Sequence, residues 1–383
     1  MHTTPPTTTD PQNHIPSASL GSDPRPAAPA PPRLAAANAS ARQHDVVTGD
    51  RNHPTAEQGT MQAIVQHSYG SPDVLRLART DRPAIADDQV LVRVHAAGLS
   101  RGTWHLMTGR PYLMRLMGFG FAKPSSRVPG LDVAGTVAAT GSAVTRFAAG
   151  DEVYGISKGS FAEYAVAQEG KLARKPVNTS FEQAAVVPVS ALTALQSLCD
   201  IGHLQPGQNV LITGASGGVG TYAVQLAKAF GAEVTGVCST TKLELVQSLG
   251  ADHVIDYTHQ DFANDTRRYD LILDIAGNPT LSRLRRALTL TGTAVMVGGE
   301  GGSRWTGGME RQLLALAWSP FLRQRLTSAV CQERAADLER LTALIETGEV
   351  TSSIDRAYPL DRVPEAMRHL ESGSARGKVA ITI

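Results

Sequence analysis

The stretch Asn209-Val210-Leu211-Ile212-Thr213-Gly214-Ala215-Ser216-Gly217-Gly218-Val219-Gly220 decides the fold. Val210-Leu211-Ile212 is a short buried strand that ends abruptly at glycine, and a helix is expected from Gly218 to Phe230. A phosphate-binding turn between a strand and a helix needs a backbone clear of side chains and a helix N-terminus aimed at the anion. Gly217 lets a pyrophosphate approach the main chain, and Gly220 lets the helix pack closely on the strand. Ala215 replaces the first glycine of the usual GxGxxG pattern, a tolerable change because the methyl group is small. A glycine-rich turn with no ligand is the alternative, and the flanking strand and helix argue against it.

Working outward, strands and helices alternate. Glu233 to Val237 reads as the second strand and Lys242 to Leu249 as a helix. His253 to Asp256, Leu271 to Asp274 and Thr293 to Val297 supply further strands. Short β runs alternating with helices predict an α/β fold, a Rossmann doubly wound parallel sheet covered on both faces. Upstream, Gln89 to Val94, Val133 to Val137 and Asp151 to Gly155 are strands punctuated by glycine turns, which predicts a β-rich domain. Ser180 is expected to cap one helix running through Leu198, and a helical pattern is expected to persist from Trp318 through Ile345. The final strand, Lys378 to Ile383, has no place in a six-stranded Rossmann sheet and is expected to return to the first domain. The expected division is a β-rich catalytic domain over residues 61–183, completed by residues 327–383, and a dinucleotide domain over residues 184–326.

Residues 1–60 differ in kind. They hold ten of the 22 prolines and few large apolar residues, so they are expected to be a disordered extension, with Met61 as an alternative start. Lys+Arg 36 against Asp+Glu 35 gives no electrostatic case for nucleic acid. No stretch approaches the roughly 20 apolar residues of a membrane span. Cys199, Cys238 and Cys331 lie far apart and suit a reducing, cytoplasmic setting.

The tip of the second strand bears on the choice of cofactor. An NAD site places Asp or Glu there to accept from the ribose hydroxyls. Here Cys238-Ser239-Thr240-Thr241-Lys242 offers hydroxyls and an ammonium, which would welcome a 2′-phosphate, so NADPH is expected. Ser239 and Thr240 also read as caps of the following helix, which is compatible. Zinc needs converging Cys, His or carboxylate ligands. Ser100 stands where a cysteine ligand would be expected and Leu131 where a histidine would be, so no metal is assigned.

From Met61 to Ile383 the chain resembles the medium-chain dehydrogenase/reductase superfamily, and within it the zinc-free quinone-oxidoreductase branch that includes zeta-crystallin and the reticulon-interacting oxidoreductase. The likeness is carried by Ala96-Ala97-Gly98, Gly109-Arg110-Pro111-Tyr112, Gly130-Leu131-Asp132-Val133-Ala134-Gly135, Gly150 to Gly155, Gly159 to Tyr164, Gly214 to Gly220, Leu249 to Tyr257 and Ala375 to Val379. It implies a discontinuous GroES-like catalytic domain beside the Rossmann domain. It implies that Ser216, Gly217, Gly218 and Val219 hold the pyrophosphate and that Ser239, Lys242 and Tyr257 surround the 2′-phosphate and adenosine. Thr193, Ala276-Gly277-Asn278 and Val297-Gly298-Gly299 would line the nicotinamide and its ribose, and Ser374-Ala375-Arg376 would close over the cofactor. Relatives often carry Asn and Asp where Ser100 and Thr103 stand, so substrate positioning there departs from the pattern.

Without a metal nothing obvious stabilises an alkoxide, so an activated small hydrophobic acceptor, a quinone or an enone, is expected rather than a plain alcohol. Tyr112 is the candidate donor to the acceptor oxygen; a packed aromatic at the cleft rim is the plainer reading, and solvent is another proton source. Arg304 to Arg325, with Trp305, Met309, Leu313, Leu314, Leu316, Trp318 and Phe321, reads as an apolar cover for the acceptor, as a homodimer contact, or as core. Two rivals stand beside the oxidoreductase: an NADPH-binding sensor or scaffold without turnover, and a trans-2-enoyl thioester reductase.

Overall fold

The structure is a computed structural model and describes residues 59–277, 279–298, 305–319 and 322–383. The expectations for residues 1–58, Asn278, Gly299, Arg304 and Phe321, and for the side chains of Met309 and Leu316, lie outside the described residues.

The chain enters as a ribbon in which β1 (Thr60–Val65) pairs antiparallel with β2 (Arg76–Asp81). β3 (Gln89–Leu99) follows and runs five residues beyond the alternating pattern, through Ala96-Ala97-Gly98, whose small side chains carry no strand signal. Next come α1 (Arg101–Thr108), β4 (Asp132–Thr140), β5 (Glu152–Ile156), β6 (Tyr164–Gln168) and β7 (Leu172–Arg174).

Where one helix was expected from Ser180 to Leu198, there are two, α2 (Phe181–Ala185) and α3 (Pro188–Gln196). Val187 keeps a helical backbone, φ −79° and ψ −50°, but Pro188 has no N–H to continue the ladder back into α2, so α3 restarts with proline in its first turn. Ser180 caps α2 as read, in a reciprocal box with Gln183.

The alternating segment comprises β8 (Asn209–Thr213), α4 (Gly218–Ala229), β9 (Glu233–Cys238), α5 (Leu243–Ser248), β10 (His253–Asp256), β11 (Tyr269–Asp274), α6 (Leu281–Ala287), β12 (Leu288–Met296), α7 (Met309–Trp318) and β13 (Arg325–Ser328). The strands form a parallel sheet in the order β10-β9-β8-β11-β12-β13. β13 interrupts the continuous helical pattern expected after Trp318. Of its four residues only Leu326 is buried, so it lacks the apolar run that marks the other strands.

The chain closes with α8 (Ala335–Glu346), β14 (Ile354–Pro359), α9 (Val363–Glu371) and β15 (Lys378–Thr382). β15 lies between β14 and β3 in a mixed sheet ordered β14-β15-β3-β4-β5-β7, with β6 also paired to β3. The last strand therefore returns to the first sheet, as expected. One hydrophobic core joins the sheets: Ala134, Tyr154 and Ile156 share it with Val210, Ile212, Tyr222 and Val234. The buried Tyr154 hydroxyl donates to Leu338 O at 2.7 Å, and that of Tyr222 to Val186 O at 3.3 Å. Among the described residues no helix is long and apolar enough to cross a membrane.

Candidate functional site

The parallel sheet reverses its strand order between β8 and β11. In open α/β sheets ligands bind in the crevice at such a switch point, beyond the carboxyl ends of the strands. Most of the residues singled out from the sequence gather there.

The Gly214–Gly220 loop leaves β8 and enters α4 as expected. Gly217 is the N-cap, and Thr221 N–H makes the first helical bond, to Gly217 O at 3.0 Å. The amides of Gly218, Val219 and Gly220 precede that bond and point out of the helix mouth, as a bound pyrophosphate requires. A Cβ on Gly220 would lie 2.1 Å from Gly214 O and 2.7 Å from Ala215 C, so helix and loop touch backbone to backbone. A Cβ on Gly217 would meet only Gly214 O, at 3.3 Å, which leaves the approach to the loop open. These features fit a dinucleotide phosphate. Ser216 is buried, and its carbonyl accepts from Gly377 N–H at 2.9 Å, which ties the end of the chain to the loop.

At the tip of β9, Ser239 O accepts from Lys242 N–H at 2.9 Å. The Lys242 ammonium donates to Gly373 O at 2.9 Å and Ala375 O at 2.8 Å. It therefore staples the loop bearing the exposed Arg376 against the tip. Burial holds this ammonium below its ordinary pKa, with Asp355 opposing and Arg376 adding to the effect. Tyr257 is exposed beside it, and its N–H donates to Cys238 O. The structure adds an acid that the sequence reading passed over. Asp256, at the end of β10, accepts from the Thr240 hydroxyl at 2.5 Å and from Thr258 N–H and Oγ1 at 2.9 and 2.7 Å. Those hydrogen bonds, that from Thr240 first, hold its carboxyl below the usual range. It was missed because it arrives on a different strand.

At the other end of the crevice, Ala276 N–H donates to Thr213 Oγ1 at 3.2 Å, and a Cβ on Gly214 would lie 3.2 Å from Ala276 N. Gly298 follows β12 on the same edge, its Cα against Ile275 O. Beneath these loops sits Asp274, fully buried. Its Oδ1 accepts from the Thr213 hydroxyl at 2.9 Å and from Gly277 N–H at 3.2 Å. Its Oδ2 lies 2.5 Å from Arg311 Nη1, an ion pair without the alignment of a hydrogen bond. Burial raises the Asp274 carboxyl pKa, and Arg311 opposes the rise.

Thr193, on α3, donates to Val189 O at 2.7 Å. A turn earlier, Ser190 accepts from Lys378 Nζ at 2.8 Å. The Lys378 stem runs under Gly218, where a Cβ would lie 3.0 Å from its Cδ, and its ammonium stands 3.9 Å from Asp132 Oδ2. Asp132 is fully buried; its Oδ1 accepts from Val189 N–H at 2.6 Å, while Oδ2 has no hydrogen-bond donor among the described residues. Burial pushes its carboxyl up to about 6, with Lys378 opposing. Asp132 and Lys378 both lay inside motifs that carried the resemblance, but nothing local in either motif marks them as a pair.

Tyr112 is not among the crevice loops. It packs edge-on against Trp305, ring centroids 5.3 Å apart, with the Arg115 guanidinium 4.7 Å from its ring centre. In the stretch that follows, Ala315 is buried, whereas Trp305, Leu313, Leu314 and Trp318 are exposed. Ser100 is buried with its hydroxyl 3.4 Å from that of Thr103, and Leu131 has no ligating atom. Among the described residues no group of three His, Cys, Asp or Glu side chains converges.

A sheet with this switch point, this glycine loop and a second, mixed sheet on the same core defines a two-domain, nicotinamide-nucleotide-dependent oxidoreductase. Family models agree: the alcohol dehydrogenase GroES-like domain matches residues 86–177 and the zinc-binding dehydrogenase family matches residues 249–381. The chain is 32% identical over 347 residues to a chloroplastic quinone-oxidoreductase homolog of Spinacia oleracea, covering 84% of this chain and 98% of the relative. It is 35% identical over 367 residues to the chloroplastic NADPH-dependent alkenal/one oxidoreductase of Arabidopsis thaliana, covering 91% and 85%. The solved quinone oxidoreductase of Coxiella burnetii superposes with a TM-score of 0.74 at 29% identity, covering 85% of this chain and 100% of that one. The chain belongs to the medium-chain dehydrogenase/reductase superfamily, and it is an oxidoreductase.

Proposed function

We propose that this protein is a zinc-independent, NADPH-dependent oxidoreductase that reduces quinones, enones or similarly activated carbonyl acceptors. The observation that carries the cofactor choice is the tip of β9. Ser239 and the Lys242 ammonium lie beside the loop that bears Arg376, and the nearby carboxylates are engaged, Asp256 by Thr240 and Thr258 and Asp355 by His369. A 2′-phosphate there meets cations and hydroxyls rather than a free acid. A quinone-oxidoreductase homolog and an NADPH-dependent alkenal/one oxidoreductase among the relatives support the acceptor class.

In this reading Ser216, Gly217, Gly218 and Val219 seat the pyrophosphate. Ser239, Lys242, Tyr257 and Arg376 hold the adenosine end, and Thr193, Ala276 and Gly298 border the nicotinamide end. NADPH supplies the hydride when bound. Tyr112 is the proposed donor to the acceptor oxygen as charge develops on it. We assign the catalytic domain to residues 61–183 and the C-terminal return, and the cofactor domain to the segment between them. The pairing of β13 with β12 supports ending that segment at Ser328 rather than at residue 326.

Steady-state oxidation of NADPH and of NADH with a panel of quinones and enones tests the reading. The expected kcat/KM for NADPH exceeds that for NADH by at least about tenfold, equivalent to ~1.4 kcal/mol, and Lys242→Ala narrows the gap. A preference for NADH overturns the cofactor choice, and saturable NADPH binding without turnover overturns the activity. Tyr112→Phe is expected to lower kcat while leaving NADPH affinity unchanged; an unaltered kcat removes Tyr112 from the chemistry.

A further inference from the structure

Helix α7 sends one cation inward. Arg311 is 14% exposed at its side chain, while Leu313, Leu314 and Trp318 of the same helix face solvent. Its guanidinium reaches two crevice loops at once. Nη1 donates to Pro279 O at 2.7 Å and pairs with Asp274, and Nη2 donates to Gly298 O at 3.2 Å. Through Asp274 and its bonds from Thr213 and Gly277, the ends of β8, β11 and β12 are tied to one planar cation. Taking both charges out of water offsets most of their attraction, so such a pair rarely gains stability over an apolar one. Its forked geometry instead sets position: a lysine at the same place would supply charge but not two oriented donors.

The residues just before α7 grip the other domain. Trp305 O accepts from Leu113 N–H at 3.1 Å, and the Trp305 ring meets Tyr112 edge-on. Gly307 lies against Pro111, whose Cγ would be 2.8 Å from a Cβ on that glycine. One short segment is thus fastened to the cofactor crevice by Arg311 and to the Tyr112 loop by Trp305.

We propose that Arg311 is a positioning residue that couples the two ligand sites, so that filling the nucleotide crevice sets the α7–Trp305 wall for the acceptor and the acceptor in turn tightens the nucleotide. This rests on reading the crevice as the nicotinamide-nucleotide site and the Tyr112 loop as the acceptor wall. Such coupling is reciprocal by thermodynamic necessity.

The test uses the full chain with NADP+ and tetramethyl-1,4-benzoquinone. Both are oxidised, so no turnover occurs, and the quinone has no unsubstituted ring carbon for a cysteine to attack. Calorimetry gives the NADP+ Kd with and without saturating quinone. The wild-type protein is expected to bind NADP+ at least about fivefold tighter with quinone present. Arg311→Met brings that ratio to about one, and Arg311→Lys leaves it between. Trp305→Ala removes an exposed ring at the far end of the same link, without disturbing the core, and also lowers the ratio. An arginine that only supported the fold would lower Tm and leave the ratio alone. A ratio of one in the wild-type protein, or an unchanged ratio in Arg311→Met or Trp305→Ala, overturns the coupling while NADP+ binding stands. If NADP+ alone gives no binding heat, the cofactor reading fails first and the coupling falls with it.

Discussion

The buried pair Asp132–Lys378 shows how much a single residue can hold at the seam between the sheets. Lys378→Met strands a carboxylate in the interior, and removing one partner of such a pair costs about 3–5 kcal/mol. Burial lifts the folded-state carboxyl to about 6 against 3.8 for the free side chain, and the ammonium first, then the Val189 N–H, opposes a further rise. A group raised on folding favours the folded state below its unfolded pKa, and that favour is lost as pH climbs through the folded value. The variant's penalty is therefore expected to be large at pH 8 and clearly smaller at pH 5, where Asp132 takes up its proton. Denaturant unfolding at both pH values measures it, and equal penalties would contradict the assignment. The glycine loop gives a second residue-scale contrast. Gly220→Ala forces a methyl group onto backbone atoms that cannot yield, so a loss of about 1–3 kcal/mol in stability is expected together with weakened nucleotide binding. Gly217→Ala is expected to keep the fold and raise the NADPH Kd, because its methyl group enters the space the phosphate needs. The loop was legible because its chemistry is contiguous. Asp132–Lys378 and Asp274–Arg311 were not, because each pairs residues far apart in sequence, the first joined across strands and the second by α7 packing over the end of β11.

Among the elements, those whose burial repeats along the chain were readable. β8, α4 and β10 fall where their patterns placed them. The break before α3 hung on one proline inside an otherwise continuous apolar run. β13 was hidden because three of its four residues are not buried, and its existence depends on β12 offering an edge. Tertiary pairing overrode local propensity there. α4 also does work that its amphipathic pattern does not disclose. Gln225, buried, donates from Nε2 to Thr351 O at 3.0 Å, and its Oε1 accepts from Thr351 N–H at 2.8 Å and Oγ1 at 3.0 Å. These bonds anchor the chain as it leaves the parallel sheet for β14. Because Thr351 is partly reachable by water, Gln225→Leu is expected to cost about 1–2 kcal/mol. The expected readout is a Tm lower by about 2–6 °C with kcat retained; a fall in kcat without a fall in Tm would point to a role at the site instead.

For the whole molecule, the class of fold followed from the alternation and the glycine loop, and the return of the last strand followed from a strand left over once the parallel sheet was complete. What the sequence could not display is that both sheets share one core, since that depends on which faces of α3, α4 and α8 meet which sheet. Tyr154 of the mixed sheet and Tyr222 of α4 lie in the same apolar cluster, and Gly377 N–H reaches Ser216 O across the junction. If the sheets unfold as one body, a ligand that touches only the crevice must stabilise both. Nucleotide at about a hundredfold its Kd adds ~2.7 kcal/mol to the folded state, which slows exchange through global unfolding about a hundredfold. Hydrogen exchange with and without NADPH is therefore expected to show that slowing in the core amides of β4 and β5 as well as in those of β8 and β11. Slowing confined to β8 and β11 would mean that the mixed sheet opens on its own, and that the shared cluster is a contact between two independent cores.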